Sequence, residues 1–208
     1  MKIIATDILD NREKMTAMAS AQLEKPGFAI NPYFYRSHVT YEAELEHIVF
    51  KSWLYAGHIS QVAKNGDYFL FDVGEDSIII SRDNKGQIGA MHNICRHRGA
   101  RVCEEPSGNR KAFICPYHGW AYGNDGHLKS AREMDQLEGF KCEDYALKKV
   151  RFVVFQGMIF INCDPNAPDF IAPLENISRQ LGAYDLENAK VAERKTYRIN
   201  ANWKLVLE

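Results

Sequence analysis

Between residues 66 and 163 the hydrophobic positions come in short runs and not at helical spacing. These runs are rich in Val, Ile and aromatic residues, which favour strands. Turn-forming residues separate them, among them Asn84-Lys85-Gly86, Asn124-Asp125-Gly126 and Gln156-Gly157. Many short strands at this spacing predict a mainly β fold, an antiparallel sandwich or small barrel. The predicted strands have the sequences YFLFDV, SIIISRD, IGAMHNI, KAFICP, WAYGND and RFVVFQGMIFINC.

Helical spacing occurs outside this region. The apolar positions of YEAELEHIVFKSWL predict a helix over roughly 41–54, with Thr40 as its N-cap. A proline and a glycine bracket a second, shorter helix near 174–181. Residues 1–37 are mixed and turn-rich, and we expect them to wrap over another surface. The final residues, KVAERKTYRINANWKLVLE, predict a strand that leads into a new structural region.

Composition narrows the class of protein. The chain has 208 residues, 46% of them hydrophobic, and a formal net charge of −1. It has no basic excess, so nothing favours a nucleic-acid partner. No run approaches the roughly 18 apolar residues that cross a membrane, and Asp7 and Asp10 interrupt the apolar start. We therefore expect a soluble, cytoplasmic protein without a membrane partner.

The cysteines point to metal chemistry and not to disulfides. There are five of them, an odd number, in a chain without a recognisable signal peptide. Two lie close to histidines, as Cys95-x-His97 and Cys115-x-x-His118, with seventeen residues between the pairs. Each pair directly follows a predicted strand, MHNIC or KAFIC. Two loops at strand ends can therefore close on one object from opposite sides.

Three arrangements accommodate two thiolates and two imidazoles. Structural zinc takes Cys₂His₂, although zinc fingers usually pair Cys with Cys and His with His. Four polar side chains satisfied inside a β core are the simplest alternative, but four at such short spacing are a poor coincidence. A [2Fe-2S] cluster whose second iron is bound by two histidines needs one Cys and one His from each loop. The spacing of Cys95, His97, Cys115 and His118 favours this cluster as the cofactor and metal centre.

The net charge of such a cluster raises its reduction potential. Two ferric ions, two sulfides and two thiolates sum to zero, because the imidazoles add no charge. An all-cysteine cluster is a dianion when oxidised, so adding an electron to it costs more. The reduction potential consequently rises into the range of about −150 to +300 mV, from near −400 mV. The predicted centre accepts an electron from an ordinary ferredoxin or flavin.

Residues beside the ligands fit this interpretation. Gly99 and Gly119 follow the ligand segments, where the backbone must turn tightly. Tyr117 and Trp120 are placed to shield a cluster, although ordinary packing explains Trp120 equally well. Arg96, Arg98 and Arg101 place positive charge close to the ligands.

We expect the remaining cysteines and histidines to be structural or surface residues. They are Cys103, Cys142, Cys163, His38, His47, His58, His92 and His127.

The two motifs, CRHRG at Cys95 and CPYHGW at Cys115, resemble the Rieske domain of the Rieske non-haem iron oxygenases. These are the large (alpha) subunits of ring-hydroxylating dioxygenases and their quaternary-amine monooxygenase relatives. The likeness extends to SWLYAGH, to GDYFLFDVGEDSIIISRD and to the NWK segment at 202–204. The resemblance implies an antiparallel Rieske-type sandwich with a [2Fe-2S] subdomain, an N-terminal helix and the first strand of an α+β catalytic domain.

The resemblance also implies a division of the chain and a set of partners. We expect an N-terminal wrap and helix over 1–60, the Rieske domain over 61–165, and a linker with the start of the catalytic domain over 166–208. The mononuclear non-haem Fe(II) site would follow residue 208, so no catalytic residue is expected within this chain. Electrons would come from NAD(P)H through a separate reductase or a ferredoxin, and the full-length protein would form a homotrimer or hexamer.

Three functions remain open at this point, the third of them a zinc-stabilised β module that binds partners. The first is the electron-accepting Rieske domain of an oxygenase component that hydroxylates or demethylates an aromatic or quaternary ammonium substrate. The second is a free-standing Rieske electron carrier, which needs only about a hundred residues. The extra N-terminal segment and the NWK segment favour the oxygenase component.

Overall fold

The structure is a computed structural model that describes residues 10–134, 137–170 and 175–207. It divides into two compact units, one made of residues up to 50 together with those from 194 onward, and one made of Lys51–Glu193. No helix among the described residues has the length and apolar character that crossing a membrane requires. The helices are α1 (Arg12–Leu23), α2 (Tyr33–Arg36), α3 (His38–His47), α4 (Glu175–Leu181) and α5 (Trp203–Leu207).

The first unit contains a helix that the sequence analysis missed. α1 lies within the segment predicted to be turn-rich, and none of its residues is buried. Asn11 is the N-cap of α1, since its side chain accepts a hydrogen bond of 2.9 Å from the backbone N–H of Lys14. The half-buried residues of α1 share one face, but that face mixes Lys14 and Gln22 with methionines, so hydrophobic spacing carries little signal for it.

The prediction for α3 was right in type and wrong in its boundaries. The helix begins at His38 and ends at His47, and a short 3₁₀ turn follows at Val49–Lys51. Its N-cap is Ser37 and not Thr40, because the Ser37 side chain accepts from the Thr40 N–H at 2.9 Å. The Asp10 carboxylate also accepts from backbone N–H groups at this end, including that of His38 at 2.8 Å.

The second unit holds three antiparallel sheets, as the mainly β prediction requires. Their strand orders are β1-β10-β9, β4-β3-β2-β5 and β6-β7-β8. Strands β1, β5 and β8 were not predicted. The strands are β1 (Leu54–His58), β2 (Asp67–Val73), β3 (Asp76–Arg82), β4 (Ile88–His92), β5 (Ser107–Asn109), β6 (Phe113–Ile114), β7 (Ala121–Tyr122), β8 (Leu128–Ser130), β9 (Arg151–Phe155) and β10 (Met158–Asn162).

Two predicted turns close hairpins in this unit. Gln156 and Gly157, with φ of 48° and 79°, connect β9 to β10 in register. Two successive residues with positive φ give the turn whose twist matches that of the strands. Gly126, with φ of 84°, closes the turn between β7 and β8.

The central sheet separates two groups of buried side chains because successive residues of a strand point to opposite faces. In β3, Ile79 faces one group while Ile78 and Ile80 face the other, and all three are fully buried. The group on the Ile79 side includes Cys95, Cys115 and Trp120. The predicted ligand segments therefore belong to a single core.

The end of the chain differs from the prediction. Residues 175–181 form α4, as predicted, and a 3₁₀ turn continues it from Gly182. The predicted C-terminal strand is absent from the described residues, where 191–199 have no regular structure and Trp203–Leu207 form α5. A strand needs a partner for its backbone hydrogen bonds, and alternating sequence alone does not provide one.

Candidate metal centre

The first loop, Cys95–Ala100, leaves the central sheet just after β4 and turns back on itself. The Cys95 N–H donates to the Ala100 carbonyl at 2.8 Å, and the Gly99 N–H donates to the Cys95 carbonyl at 3.0 Å. Gly99 has φ of 75°, a left-handed conformation that favours glycine, so the predicted tight turn is confirmed.

The second loop, Cys115–Trp120, repeats these bonds twenty positions later, at the tip of the β6–β7 hairpin. The Cys115 N–H donates to the Trp120 carbonyl at 2.8 Å, and the Gly119 N–H donates to the Cys115 carbonyl at 3.0 Å. Gly119 has φ of 73°. The two loops therefore share one backbone conformation, although they come from different sheets.

This backbone brings the four predicted ligands together in like pairs. The rings of His97 and His118 meet at 4.6 Å between centroids and 72° between planes. The side chains of Cys95 and Cys115 lie close enough to interact, and each residue is at most 3% exposed. One edge of the site presents imidazole nitrogen and the other presents thiol sulfur.

The ligand side chains have unusual local electrostatics. Burial raises the pKa of the Cys115 thiol, and the adjacent Cys95 side chain raises it further. Burial also lowers the pKa of His97, helped by the neighbouring His118 and Arg98. Nδ1 of His97 is buried and has no hydrogen-bond partner among the described residues. A buried imidazole nitrogen without a partner is costly unless something absent from the protein chain satisfies it.

One hydroxyl reaches the sulfur edge. The Tyr122 oxygen lies 3.3 Å from Cys95 Sγ and accepts a hydrogen bond of 3.0 Å from the backbone N–H of Arg96. While Cys95 is a thiol either atom can donate, but a thiolate sulfur can only accept, so the Tyr122 hydroxyl is then the donor. Tyr122 is fully buried, and burial raises the pKa of its phenol.

A buried asparagine holds the first loop in place. The Asn93 side-chain oxygen accepts from the N–H groups of Val102 at 3.0 Å and Cys103 at 2.9 Å. Its amide nitrogen donates to the Cys103 carbonyl at 2.6 Å and to Ser77 Oγ at 3.3 Å. These bonds tie the residues just before the loop to those just after it.

The histidine edge opens onto a cleft of about 580 Å³. Tyr117 lies over His118, with ring centroids 3.9 Å apart, and is 60% exposed. Trp120 is 2% exposed and stacks on His97 from inside the core. The cleft is lined by His97, Arg98, Pro116, Tyr117, His118, Gly119, Trp120, Arg132, Glu133 and Met134.

The other predicted residues lie away from the site or pair with other groups. Arg101 Nη1 lies 3.8 Å from the Asp72 carboxylate on the surface. All five cysteines are free, and Cys103 is buried while Cys142 and Cys163 are partly buried. Tyr122 and Asn93 were not predicted as part of the site. The Tyr122 contact with Cys95 spans 27 positions, and no short motif reports a contact of that length.

Comparison with known proteins decides the nature of this unit. Residues 52–141 match the family described as the Rieske [2Fe-2S] domain, and they lie wholly within the second unit. The chain contains a Rieske [2Fe-2S] domain. Both loops, the asparagine that ties the first of them and the tyrosine at the sulfur edge fall within this domain.

The similarity continues beyond the Rieske domain. The chain is 38% identical over 184 residues to the glycine betaine monooxygenase oxygenase subunit of Pseudomonas aeruginosa, covering 87% of this chain and 42% of that protein. It is 35% identical over 184 residues to the biphenyl 2,3-dioxygenase subunit alpha of Rhodococcus jostii, covering 86% and 40%. The chain is thus homologous to the N-terminal Rieske portion of Rieske oxygenase alpha subunits and spans under half of their length.

A solved structure agrees with this relationship. A quaternary ammonium Rieske monooxygenase, described in terms of carnitine oxidation and inter-subunit electron transfer, matches with a TM-score of 0.77 and 32% identity. The match covers 84% of this chain and 48% of that one. The Rieske domain fold predicted from the sequence is therefore confirmed.

Proposed function

We propose that Cys95, His97, Cys115 and His118 hold a [2Fe-2S] cluster, with both sulfurs on one iron and both imidazoles on the other. The pairing of thiol with thiol and imidazole with imidazole supports this assignment. Among the described residues no three His, Cys, Asp or Glu side chains converge as ligands of a single ion. That observation argues against the tetrahedral zinc alternative, which needs all four groups around one metal.

The cluster supplies reversible one-electron transfer at a moderately high potential. The chain's own residues set the conditions for it. The buried thiols and the backbone of both loops exclude water from the sulfur edge, while the imidazole edge faces the cleft. Tyr122 directs a proton at Cys95 Sγ, and a hydrogen bond to sulfur favours the more negative, reduced state.

We further propose that the domain is the electron-accepting part of an oxygenase component. In the complete protein it would pass electrons to a mononuclear non-haem iron for O₂-dependent hydroxylation or demethylation. The alignment with oxygenase subunits over 184 residues, well beyond 52–141, supports this role over that of a free-standing carrier. The substrate would be an aromatic or a quaternary ammonium compound, since relatives of both kinds match.

The expected partner is a reductase or a ferredoxin that draws on NAD(P)H, and the complete protein is expected to be a homotrimer or hexamer. Arg98 faces the same cleft as the two histidines and would favour an acidic donor surface. A reductase supplied with NADH, acting directly or through a ferredoxin, should transfer one electron to each chain. This reduction should lower the visible absorbance of the chain.

Chemical analysis tests the cluster itself. Anaerobically purified chain should contain two irons and two acid-labile sulfides per molecule. A brown protein with this stoichiometry supports the proposal. A colourless protein carrying one zinc per chain would replace it with a structural metal site.

A further inference from the structure

A ligating imidazole normally needs a second contact to fix its ring. Metal-bound histidines usually donate their other ring N–H to a carboxylate, a carbonyl or water, and this bond sets both tautomer and orientation. The buried Nδ1 of His97, which has no partner among the described residues, is the ring nitrogen available to a metal, so a second contact would fall to Nε2. The torsion that rotates a histidine ring is intrinsically broad, so the side chain does not supply the orientation by itself.

The indole of Trp120 occupies the place where such a constraint is needed. Its plane lies 9° from that of His97, with ring centroids 4.9 Å apart. Rotating the imidazole about its Cβ–Cγ bond would drive an edge of the ring into this flat surface. The parallel indole therefore restricts this torsion of the His97 ring.

Neighbouring aromatic rings hold the indole of Trp120 in place. Trp120 is 2% exposed and packs nearly perpendicular to Phe140 and Tyr145, at 5.9 and 5.7 Å between centroids. Phe140 and Tyr145 stack on each other at 4.7 Å. Close-packed aromatic rings in a core do not move aside cheaply. His118 differs, since its aromatic neighbour is the exposed Tyr117.

We infer that Trp120 is a positioning residue for the cluster: its stacked indole fixes the ring plane of His97. This inference rests on the proposed [2Fe-2S] function. It assigns Trp120 a role beyond ordinary packing, and it predicts that the two imidazoles respond differently to loss of the indole face.

The test compares matched substitutions in the full 208-residue chain. Trp120→Met fills much of the volume without a ring face, and Trp120→Phe keeps a smaller face. Phe140→Met removes a neighbouring, partly buried ring that does not stack on His97. Pulsed electron paramagnetic resonance of the reduced chain reads the ¹⁴N couplings of the two imidazoles. Iron release to a chelator and urea midpoints are measured in parallel.

In Trp120→Met we expect one of the two ¹⁴N couplings to shift or broaden and iron release to accelerate about tenfold. Trp120→Phe should restore most of both properties. Phe140→Met should lower the urea midpoint while leaving couplings and release at wild-type values. If Trp120→Met is the one variant that fails to take up iron, and its urea midpoint is near that of the wild type, the inference is likewise supported. If Trp120→Met does not fold, Trp120→Leu is used in its place.

Two outcomes overturn the inference. Wild-type couplings and release in Trp120→Met would mean that the indole only packs. Equal effects in Phe140→Met would mean that the core as a whole holds the cluster. Absence of any two-nitrogen signal in the wild-type chain is a different result, because it would contradict the proposed cluster before any variant is considered.

Discussion

The two ligand loops have the same backbone and different surroundings. Each closes with the same two backbone hydrogen bonds and a glycine at positive φ in its fifth position. Yet the histidine is third in the first loop and fourth in the second, and His97 faces buried Trp120 while His118 faces exposed Tyr117. The backbone places the ligands, and the neighbouring side chains make the two halves of the site unequal.

The sulfur edge is unequal in the same way. Cys95 Sγ lies 3.3 Å from the Tyr122 hydroxyl, and its loop is tied at the base by Asn93. The second loop is carried instead by a hairpin whose strands, β6 and β7, have two residues each. Two loops with the same backbone conformation are thus stabilised by different neighbouring groups.

The largest expected effect comes from removing a ligand of either loop. His97→Ala and His118→Ala should each lose the cluster, since an iron left with one imidazole is open to solvent and chelators. Iron and sulfide content together with the visible spectrum measures this. His127→Ala, at an exposed histidine 3.3 Å from Asp125, should keep full iron content. An unchanged spectrum in either ligand variant would remove that residue from the site.

Asn93→Ala should be the most destabilising change at the base of the first loop. It leaves the N–H groups of Val102 and Cys103 buried without partners, for an expected loss of about 3 kcal/mol in the free energy of unfolding. Urea unfolding followed by tryptophan fluorescence measures it. The control is Asn109→Ala, whose hydrogen bonds are exposed and whose loss should be about 0.5 kcal/mol. Equal losses in the two variants would contradict the anchoring role of Asn93.

Tyr122→Phe sharpens the comparison at the sulfur edge. Removing the hydroxyl takes away a hydrogen bond that favours the reduced cluster, so we expect a reduction potential lower by about 50 mV. Spectroelectrochemical titration measures the shift. Tyr145→Phe is the control, since Tyr145 contacts Trp120 through its ring and has no described contact with sulfur. A potential that stays constant or rises in Tyr122→Phe would contradict the direction assigned to that proton.

The smallest effect tests whether the two backbones really match. Gly99→Ala and Gly119→Ala should each cost about 1 kcal/mol, because a Cβ is strained at positive φ. An added Cβ meets no atom within 4 Å at either position, so conformation alone sets the cost. Gly182→Ala, which has no positive φ and no close neighbour, should be nearly neutral. Clearly different losses at Gly99 and Gly119 would show that the loops are not equivalent.

Local patterns carried most of what the sequence revealed. The clustering of the four predicted ligands and the tight turns at both loop glycines could be predicted, because short spacing and turn chemistry report on neighbouring residues. The strands of the central sheet were predictable from their runs of Val, Ile and Phe. β1 was missed because its pairing with β10 joins residues about a hundred positions apart, such as Leu54 and Ile161.

The missed elements share a physical cause. α1 has no fully buried residue, and its half-buried face mixes polar and apolar side chains, so its sequence lacks the apolar periodicity that predicts a helix. The predicted C-terminal strand finds no pairing strand among the described residues, where 191–199 have no regular structure. The functional contacts of Asn93, Tyr122 and Trp120 are made across the fold, and single positions in a sequence do not show which groups they meet.

The most direct test of the two-loop centre is pulsed electron paramagnetic resonance of the dithionite-reduced wild-type chain. We predict a spin-½ signal coupled to two inequivalent ¹⁴N nuclei, which His97→Ala and His118→Ala both abolish or reduce to one nucleus. A reduced chain with no such signal, or one whose signal shows no nitrogen coupling, would contradict the assignment of two sulfurs to one iron and two imidazoles to the other.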